Sequence, residues 1–311
     1  MIVTVTPNPA WDVTYHLERL ARHGANRPAS VGGRAGGKGI NVTRVLRLLG
    51  VAVAAVAPLG GPTGERIRAD LAAADIALTS VPVVGETRCT TTIVETASGG
   101  ATSLNELGPS RTAEEWARVV AATAELLPAA SVLVLSGSLP PGVPEGGYAE
   151  LVARARAAGV PVLLDASGPA LLAGVAAGPD VVKPNADELL AATGESDPLR
   201  AVARLAARTG AGGAVVASFG PGGMLAASDA GWWRAVPPES VHGNATGAGD
   251  AAVAALARGL AEGLPWPERL RDAVALSAAA VAAPLAGDVD GDLYRAWRPR
   301  VRVEAVAPPP P

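Results

Sequence analysis

Several residue types are nearly or wholly missing from this chain of 311 residues. It holds two lysines, Lys38 and Lys183, against twenty-four arginines, and no glutamine; asparagine occurs six times and phenylalanine once. A single cysteine, Cys89, excludes an intrachain disulfide framework, and three scattered histidines, His16, His23 and His242, present no metal-ligand spacing. Basic tracts are absent too. With a formal net charge of -3 the chain lacks the dense Lys/Arg footprint that displaces counterions, so no nucleic-acid partner is expected. The longest apolar runs, such as residues 51–59, fall well short of the roughly 20 residues that span a bilayer. The N-terminus carries neither a basic n-region nor an apolar h-region, so no membrane association is expected and the expected location is the cytoplasm.

Scarcity makes the surviving residues informative. An ordinary solvated lysine can become arginine, whereas a compact ammonium packed among glycines cannot. Lys38 stands in Gly36-Gly37-Lys38-Gly39-Ile40-Asn41, and Lys183 in Lys183-Pro184-Asn185. Of the other asparagines, Asn8 lies in Thr6-Pro7-Asn8-Pro9, Asn26 precedes Arg27, Asn105 precedes Glu106, and Asn244 opens Asn244-Ala245-Thr246-Gly247-Ala248-Gly249-Asp250. All read as turns or glycine-rich segments. Asparagine favours turns for reasons of its own, which leaves the lysines unexplained.

The length allows one large α/β domain or two ordinary ones. Short β-branched runs at 2–6, 51–56, 131–135, 160–164, 181–183 and 214–217 alternate with Ala/Leu/Arg-rich stretches of helical spacing. Continuous apolar strands separated by helices predict a mostly parallel sheet covered on both faces, a three-layer αβα fold without a linker dividing it. Two segments break the rhythm. Residues 11–31 and 87–106 read as short polar strands, either plain surface hairpins or a small β-flap over a site on the main sheet. Residues 1–300 are expected to form the single domain and 301–311 a mobile Pro-rich tail.

Three segments carry chemistry. Residues 32–38 satisfy G-x-x-x-x-G-K, but Gly39 follows where a Walker loop needs Ser or Thr for Mg²⁺, so a P-loop NTPase is excluded. What remains is a glycine loop that presents backbone N–H groups and one ammonium to a phosphate or sugar hydroxyls, or one that merely turns the chain. In the second, Gly247 and Gly249 permit close backbone approach, the Thr246 hydroxyl is a candidate helix cap, and Asp250 falls in the first helical turn, where the dipole favours its ionised form. Asp250 there is a dipole-compensating residue or a base beside an anion hole. In the third, Asn185 and Glu188 share one face, as a capping box or as holders of hydrated Mg²⁺ near a triphosphate.

Taken together and in this order, Gly36-Gly37-Lys38-Gly39-Ile40-Asn41-Val42, Lys183-Pro184-Asn185 with Glu188, and Thr246-Gly247-Ala248-Gly249-Asp250 resemble the ribokinase-like PfkB carbohydrate kinases. The opening Thr6-Pro7-Asn8-Pro9-Ala10-Trp11-Asp12, Gly85-Glu86-Thr87-Arg88 and Leu135-Ser136-Gly137-Ser138-Leu139-Pro140 resemble the 1-phosphofructokinase and tagatose-6-phosphate kinase branch. The resemblance implies the ribokinase-like fold, ATP and Mg²⁺, a phosphorylated ketohexose such as fructose 1-phosphate, and a β-lid that joins two subunits into a homodimer. By position it implies Asp250 as catalytic base with Gly247, Ala248 and Gly249 forming the anion hole. Asp12, Gly37, Lys38, Asn41 and Asn105 would hold sugar hydroxyls, and Arg27, Arg88 and Ser138 the substrate's phosphate. Lys183, Asn185, Glu188, Ser218, Gly220, Gly223 and Thr246 would face the nucleotide, with Asn185 and Glu188 reaching Mg²⁺ through water. The chain departs from the branch pattern at Thr90 and Thr92, where Asn and Lys are usual, at Leu107 for Pro, and at Ala251 for Ser. A tagatose-6-phosphate, 6-phosphofructo- or other hexose kinase is the alternative within the family. A silent sugar- or nucleotide-binding regulator is the alternative outside it, though a binder has no need of Asp250. A nicotinamide dehydrogenase is disfavoured, since no G-x-G-x-x-G follows the first strand.

Overall fold

The computed structural model describes residues 1–310 apart from 242 and 244. Strand β1 (Ile2–Val5) lies inside a ten-stranded sheet. On one side of it run β4 (Val53–Leu59) and β5 (Ala77–Pro82); on the other run β8 (Val132–Ser136), β9 (Val162–Asp165), β10 (Val181–Val182) and β11 (Ala214–Ser218), all parallel. Three antiparallel strands, β12 (Met224–Ser228), β13 (Gly231–Val236) and β14 (Arg302–Ala305), complete the edge. A separate four-stranded sheet has the order β3 (Ser30–Gly36), β2 (Ala10–Leu17), β6 (Cys89–Glu95), β7 (Ala101–Asn105).

The uninterrupted apolar strands follow from burial on both faces. Val3, Val5, Leu133, Leu135 and Leu164 point into a core shared with α3 (Ala113–Leu126), α4 (Gly147–Ala157), α5 (Gly168–Ala176), α6 (Ala186–Thr193) and α7 (Pro198–Ala206). Their neighbours Ile2, Val132, Val134 and Leu163 point the other way, against α1 (Lys38–Leu48), α8 (Ala248–Ala261) and α9 (Trp266–Ala282). A smaller cluster joins α2 (Gly61–Ala73) to β3 and β4, and α10 (Gly291–Trp297) packs beside α9.

Two differences from the sequence reading concern local elements. The helix expected from Ile40 begins earlier, so Lys38 lies in the first turn of α1 rather than in a loop before it. Residues 302–305 of the expected tail form β14, because β13 otherwise ends the sheet with unpaired backbone groups; the pairing is Val236↔Arg302 through Trp233↔Ala305. No helix among the described residues is long and apolar enough to cross a membrane.

Candidate active site

Chain order reverses between β1 and β8, and an open α/β sheet gathers ligands at the carboxyl ends of its strands at such a switch point. A cavity of about 910 Å³ opens there. Successive strand ends supply Asn8, Ser138, Asp165, Lys183 and Ser218 to its floor, and the four-stranded sheet roofs it. Alternation gives that roof two faces. Cross-strand register aligns Arg34, Asp12, Thr90 and Asn105 in one row and Gly32, Thr14, Thr92 and Ser103 in the next; all but Gly32 line the cavity.

The floor is a network of charges held out of water. Asp165 is 1% exposed; its Oδ1 lies 3.3 Å from Lys183 Nζ, and its Oδ2 lies 3.5 Å from Lys38 Nζ and accepts the Ser136 hydroxyl at 3.0 Å. Burial alone would push the Asp165 carboxyl up, but the two ammonium groups and Ser136 hold it below its ordinary range. Lys38 Nζ also faces Glu188 Oε1 at 3.4 Å, and the paired carboxylates, Asp165 foremost, keep it protonated by raising its pKa. Asp165 was not singled out from the sequence, although it ends an apolar run at the very position where such sheets place functional groups.

Asp250 enters from the first turn of α8, buried, with its Oδ2 accepting the Asn41 amide at 2.8 Å. Burial, then repulsion from Asp165, pushes its pKa up to about 6 against the opposing pull of Lys38, Asn41 and Lys183. This reverses the expectation that the helix dipole keeps it strongly ionised. Burial dominates, and the carboxyl is tuned toward neutral pH. Thr246 does not occupy the cap position; Gly247 does, at φ 88°, a left-handed conformation suited to glycine. The α8 ladder begins at the Ala251 N–H, which donates to Gly247 O at 2.9 Å. The Ala248 N–H turns back to Ala245 O at 3.2 Å, so the amides of Gly249 and Asp250 are the ones left outside the ladder for an anion. Asn244 lies outside the described residues.

Asn185 and Glu188 form the reciprocal capping box at the head of α6: Glu188 N donates to Asn185 Oδ1 at 2.8 Å, and Asn185 N to Glu188 Oε2 at 2.9 Å. Both still line the cavity with Ser218, Gly220, Gly223 and Thr246, so the cap also positions them. Among the described residues no group of three or more His, Cys, Asp or Glu could hold a metal ion. Hydrated Mg²⁺ fits this donor set, since it is usually held by one or two carboxylates with water and phosphate oxygens.

On the roof side Asp12 accepts the Thr90 hydroxyl, and burial raises its carboxyl pKa. Gly36 is glycine because a Cβ there would overlap the Asp12 carboxylate, a packing demand beyond turning the chain. Arg88 is partly committed to backbone: its Nε and Nη2 donate to Asn8 O at 3.2 and 3.1 Å, and its Nη1 to Glu106 O at 2.7 Å. Of the five guanidinium donors, two remain for a ligand. Asn8 in turn donates to Ser138 Oγ at 3.3 Å, which makes it a further residue of this corner. Arg27 is not brought to the cavity. It belongs to the exposed connection 18–29 between β2 and β3, which loops away from the site.

Glycine-held amides, two ammonium groups and a buried carboxylate of raised pKa define a site for moving a phosphoryl group onto a hydroxyl. Comparison with known proteins agrees: residues 6–290 match the model of the pfkB family of carbohydrate kinases. The chain is 41% identical over 267 residues to 1-phosphofructokinase of Xanthomonas campestris pv. campestris, covering 83% of each protein. Phosphofructokinase-2 of Escherichia coli in complex with fructose-6-phosphate superposes with TM-score 0.85 at 31% identity, over 95% of this chain and 98% of that one. A possible 1-phosphofructokinase of Thermotoga maritima gives 0.90 at 28% identity, over 98% and 99%. The chain belongs to the pfkB family of carbohydrate kinases and is a phosphotransferase with an alcohol group as acceptor.

Proposed function

We propose that the protein transfers the γ-phosphoryl group of ATP to a primary hydroxyl of a ketohexose phosphate, foremost fructose 1-phosphate, giving fructose 1,6-bisphosphate. The observation that carries this is Asp250, buried at the mouth of α8 with a pKa raised to about 6, next to amides outside the helix ladder. The acceptor oxygen bonds to phosphorus as its proton passes to Asp250, and the bond from phosphorus to the leaving nucleotide oxygen breaks. A base effect of this kind contributes about 10² to 10⁴ in rate. Asn41 positions Asp250 through its amide, and its buried Oδ1, which has no hydrogen-bond partner among the described residues, is left to accept a sugar hydroxyl. Lys38, with Asp12 and Asn105, completes the sugar site, while Arg88 and Ser138 are the candidates for the substrate's own phosphate. Asn185 and Glu188 would hold the nucleotide's hydrated Mg²⁺, whose chemistry is to offset phosphate charge. Such use of ATP and phosphorylated sugar supports a cytoplasmic location.

Substrate choice is tested by measuring ADP release with fructose 1-phosphate, fructose 6-phosphate, tagatose 6-phosphate, fructose and ribose. Phosphorylated ketohexoses exceed their parents in kcat/KM by at least about tenfold, roughly 1.4 kcal/mol. Best turnover with fructose or ribose overturns the substrate class.

A homodimer through the roof sheet is the second element of the proposal. Val31, Tyr15 and Ile93 align across its outer face, with Val13 and Leu104 in the next row. Val31 is 56% and Leu104 59% exposed, an apolar stripe without a partner inside the chain.

A further inference from the structure

Among the described residues four cationic side chains line the cavity: Arg34, Lys38, Arg88 and Lys183. Three are already engaged, the lysines by Asp165 and Glu188 and Arg88 by backbone carbonyls. Arg34 is placed differently. It projects from the roof strand β3 directly across from Asp12, whose pKa its charge lowers, and among the described residues its one ion-pair partner is Asp288, between α9 and α10. Its buried Nη1 lies 2.9 Å from Asp288 Oδ2, yet without the directionality of a hydrogen bond, so that atom has no hydrogen-bond partner among the described residues.

The loop bearing Asp288 touches both parts of the catalytic centre. Gly287 approaches Asn41 so closely that a Cβ on it would lie 3.3 Å from Asn41 Oδ1; a Cβ on Gly247 would lie 3.0 Å from Ala286 Cα. Arg34 is thus held over the loop that abuts the partner of the base and the head of the anion hole. A guanidinium there presents a planar fork suited to phosphoryl oxygens.

We propose that Arg34 is a catalytic cation carried by the roof sheet: it exchanges Asp288 for the transferring phosphoryl group and stabilises the charge on its equatorial oxygens. Asp288 is the resting partner that keeps the guanidinium aimed between turnovers. Arg34 gives up no proton and forms no covalent bond; the bonds made and broken are those already described, on which this inference rests.

The test separates a substrate contact from a mere clasp between roof and floor. Three variants are compared with wild type: Arg34→Gln, Asp288→Asn and the swapped pair R34D/D288R. Steady-state kinetics are read beside the melting-temperature increment that ADP, aluminium fluoride and fructose 1-phosphate produce over ADP with the sugar phosphate alone. Arg34→Gln is expected to lose roughly 10²-fold in kcat, with KM for sugar changed less than about threefold, and to lose the fluoride increment. Asp288→Asn is expected to keep both, and the swapped pair to stay defective. Equal loss in the two single variants, recovery in the swapped pair, or wild-type behaviour of Arg34→Gln overturns the assignment. If Arg34→Gln does not fold, Arg34→Lys replaces it, with partial activity and a reduced increment expected and wild-type values for both overturning the assignment. Absence of the increment in the wild-type protein counts instead against the kinase reading itself.

Discussion

Replacing Asn41 by leucine keeps the side-chain volume but deletes the one side-chain donor to Asp250 among the described residues. A hydrogen bond to a charged acceptor contributes about 1.5–3 kcal/mol, and 1.36 kcal/mol corresponds to one pKa unit. Asp250 then rises by roughly one to two units from its value of about 6. Lys38 and Lys183 still pull it down, and Asp165 still pushes it up. The base must be ionised to accept the sugar proton, so the acid limb of kcat/KM moves to higher pH by the same amount. At pH 7 the ionised fraction falls from roughly nine-tenths to between one-half and one-tenth, a loss of about two- to tenfold that disappears by about pH 9, on top of a pH-independent loss from the missing sugar contact. The measurement is a pH profile of kcat/KM for both proteins with saturating MgATP. An acid limb that stays in place refutes the claim that Asn41 acts by setting the charge of Asp250.

Asp250→Asn is expected to cut kcat by about 10² to 10⁴ with smaller changes in substrate affinity, and near-normal turnover removes Asp250 from the mechanism. The same variant tests linkage. A carboxyl whose folded pKa is raised binds more protons folded than unfolded, so stability falls as pH rises from the unfolded value of 3.8 to about 6 and stays lower above it. Asparagine removes that penalty, and the variant should be stabilised at pH 7–8 by up to about 3 kcal/mol, seen as a higher melting temperature that converges with wild type near pH 4. Lys38→Arg keeps the charge but not the compact head lodged between Asp165 and Glu188, so loss of activity is expected in steady-state kinetics. Leu104→Asp on the outer face of the roof should shift light-scattering mass toward the monomer, and an unchanged mass excludes that face as the subunit contact.

The parallel half of the sheet was legible because strands buried on both faces must be continuously apolar, as residues 132–135 and 160–164 are. Its antiparallel edge was not. Met224–Ser228 is short and alanine-rich and takes its conformation from pairing with its neighbours, which no local preference announces. Lys38, Asn41 and Lys183 stood out as rare residue types and Asp250 as the carboxylate that closes a glycine-rich turn, and the structure brings all four to one cavity. Asp165 and Arg34 escaped because aspartate and arginine are common in this chain, and only the spatial meeting of β9 with β10, or of β3 with the loop at Asp288, makes them notable. Arg27 shows the opposite failure, a charged residue whose sequence neighbourhood says nothing of the side on which its loop emerges.

The lysine shortage has a practical consequence once both lysines are located. Lys183 is 3% exposed in its side chain and bound to Asp165, whereas Lys38 is 40% exposed and opens onto the cavity. Apart from the terminal amine, which donates to Ala129 O on the exposed surface, an amine-directed acylating reagent therefore meets one accessible target. Since Lys38 is held protonated by its carboxylate neighbours, it reacts slowly until ligands disturb them. The extent of its labelling, read by mass spectrometry of the peptide that carries it, becomes a direct gauge of occupancy at a site that in most proteins would be lost among dozens of surface ammonium groups.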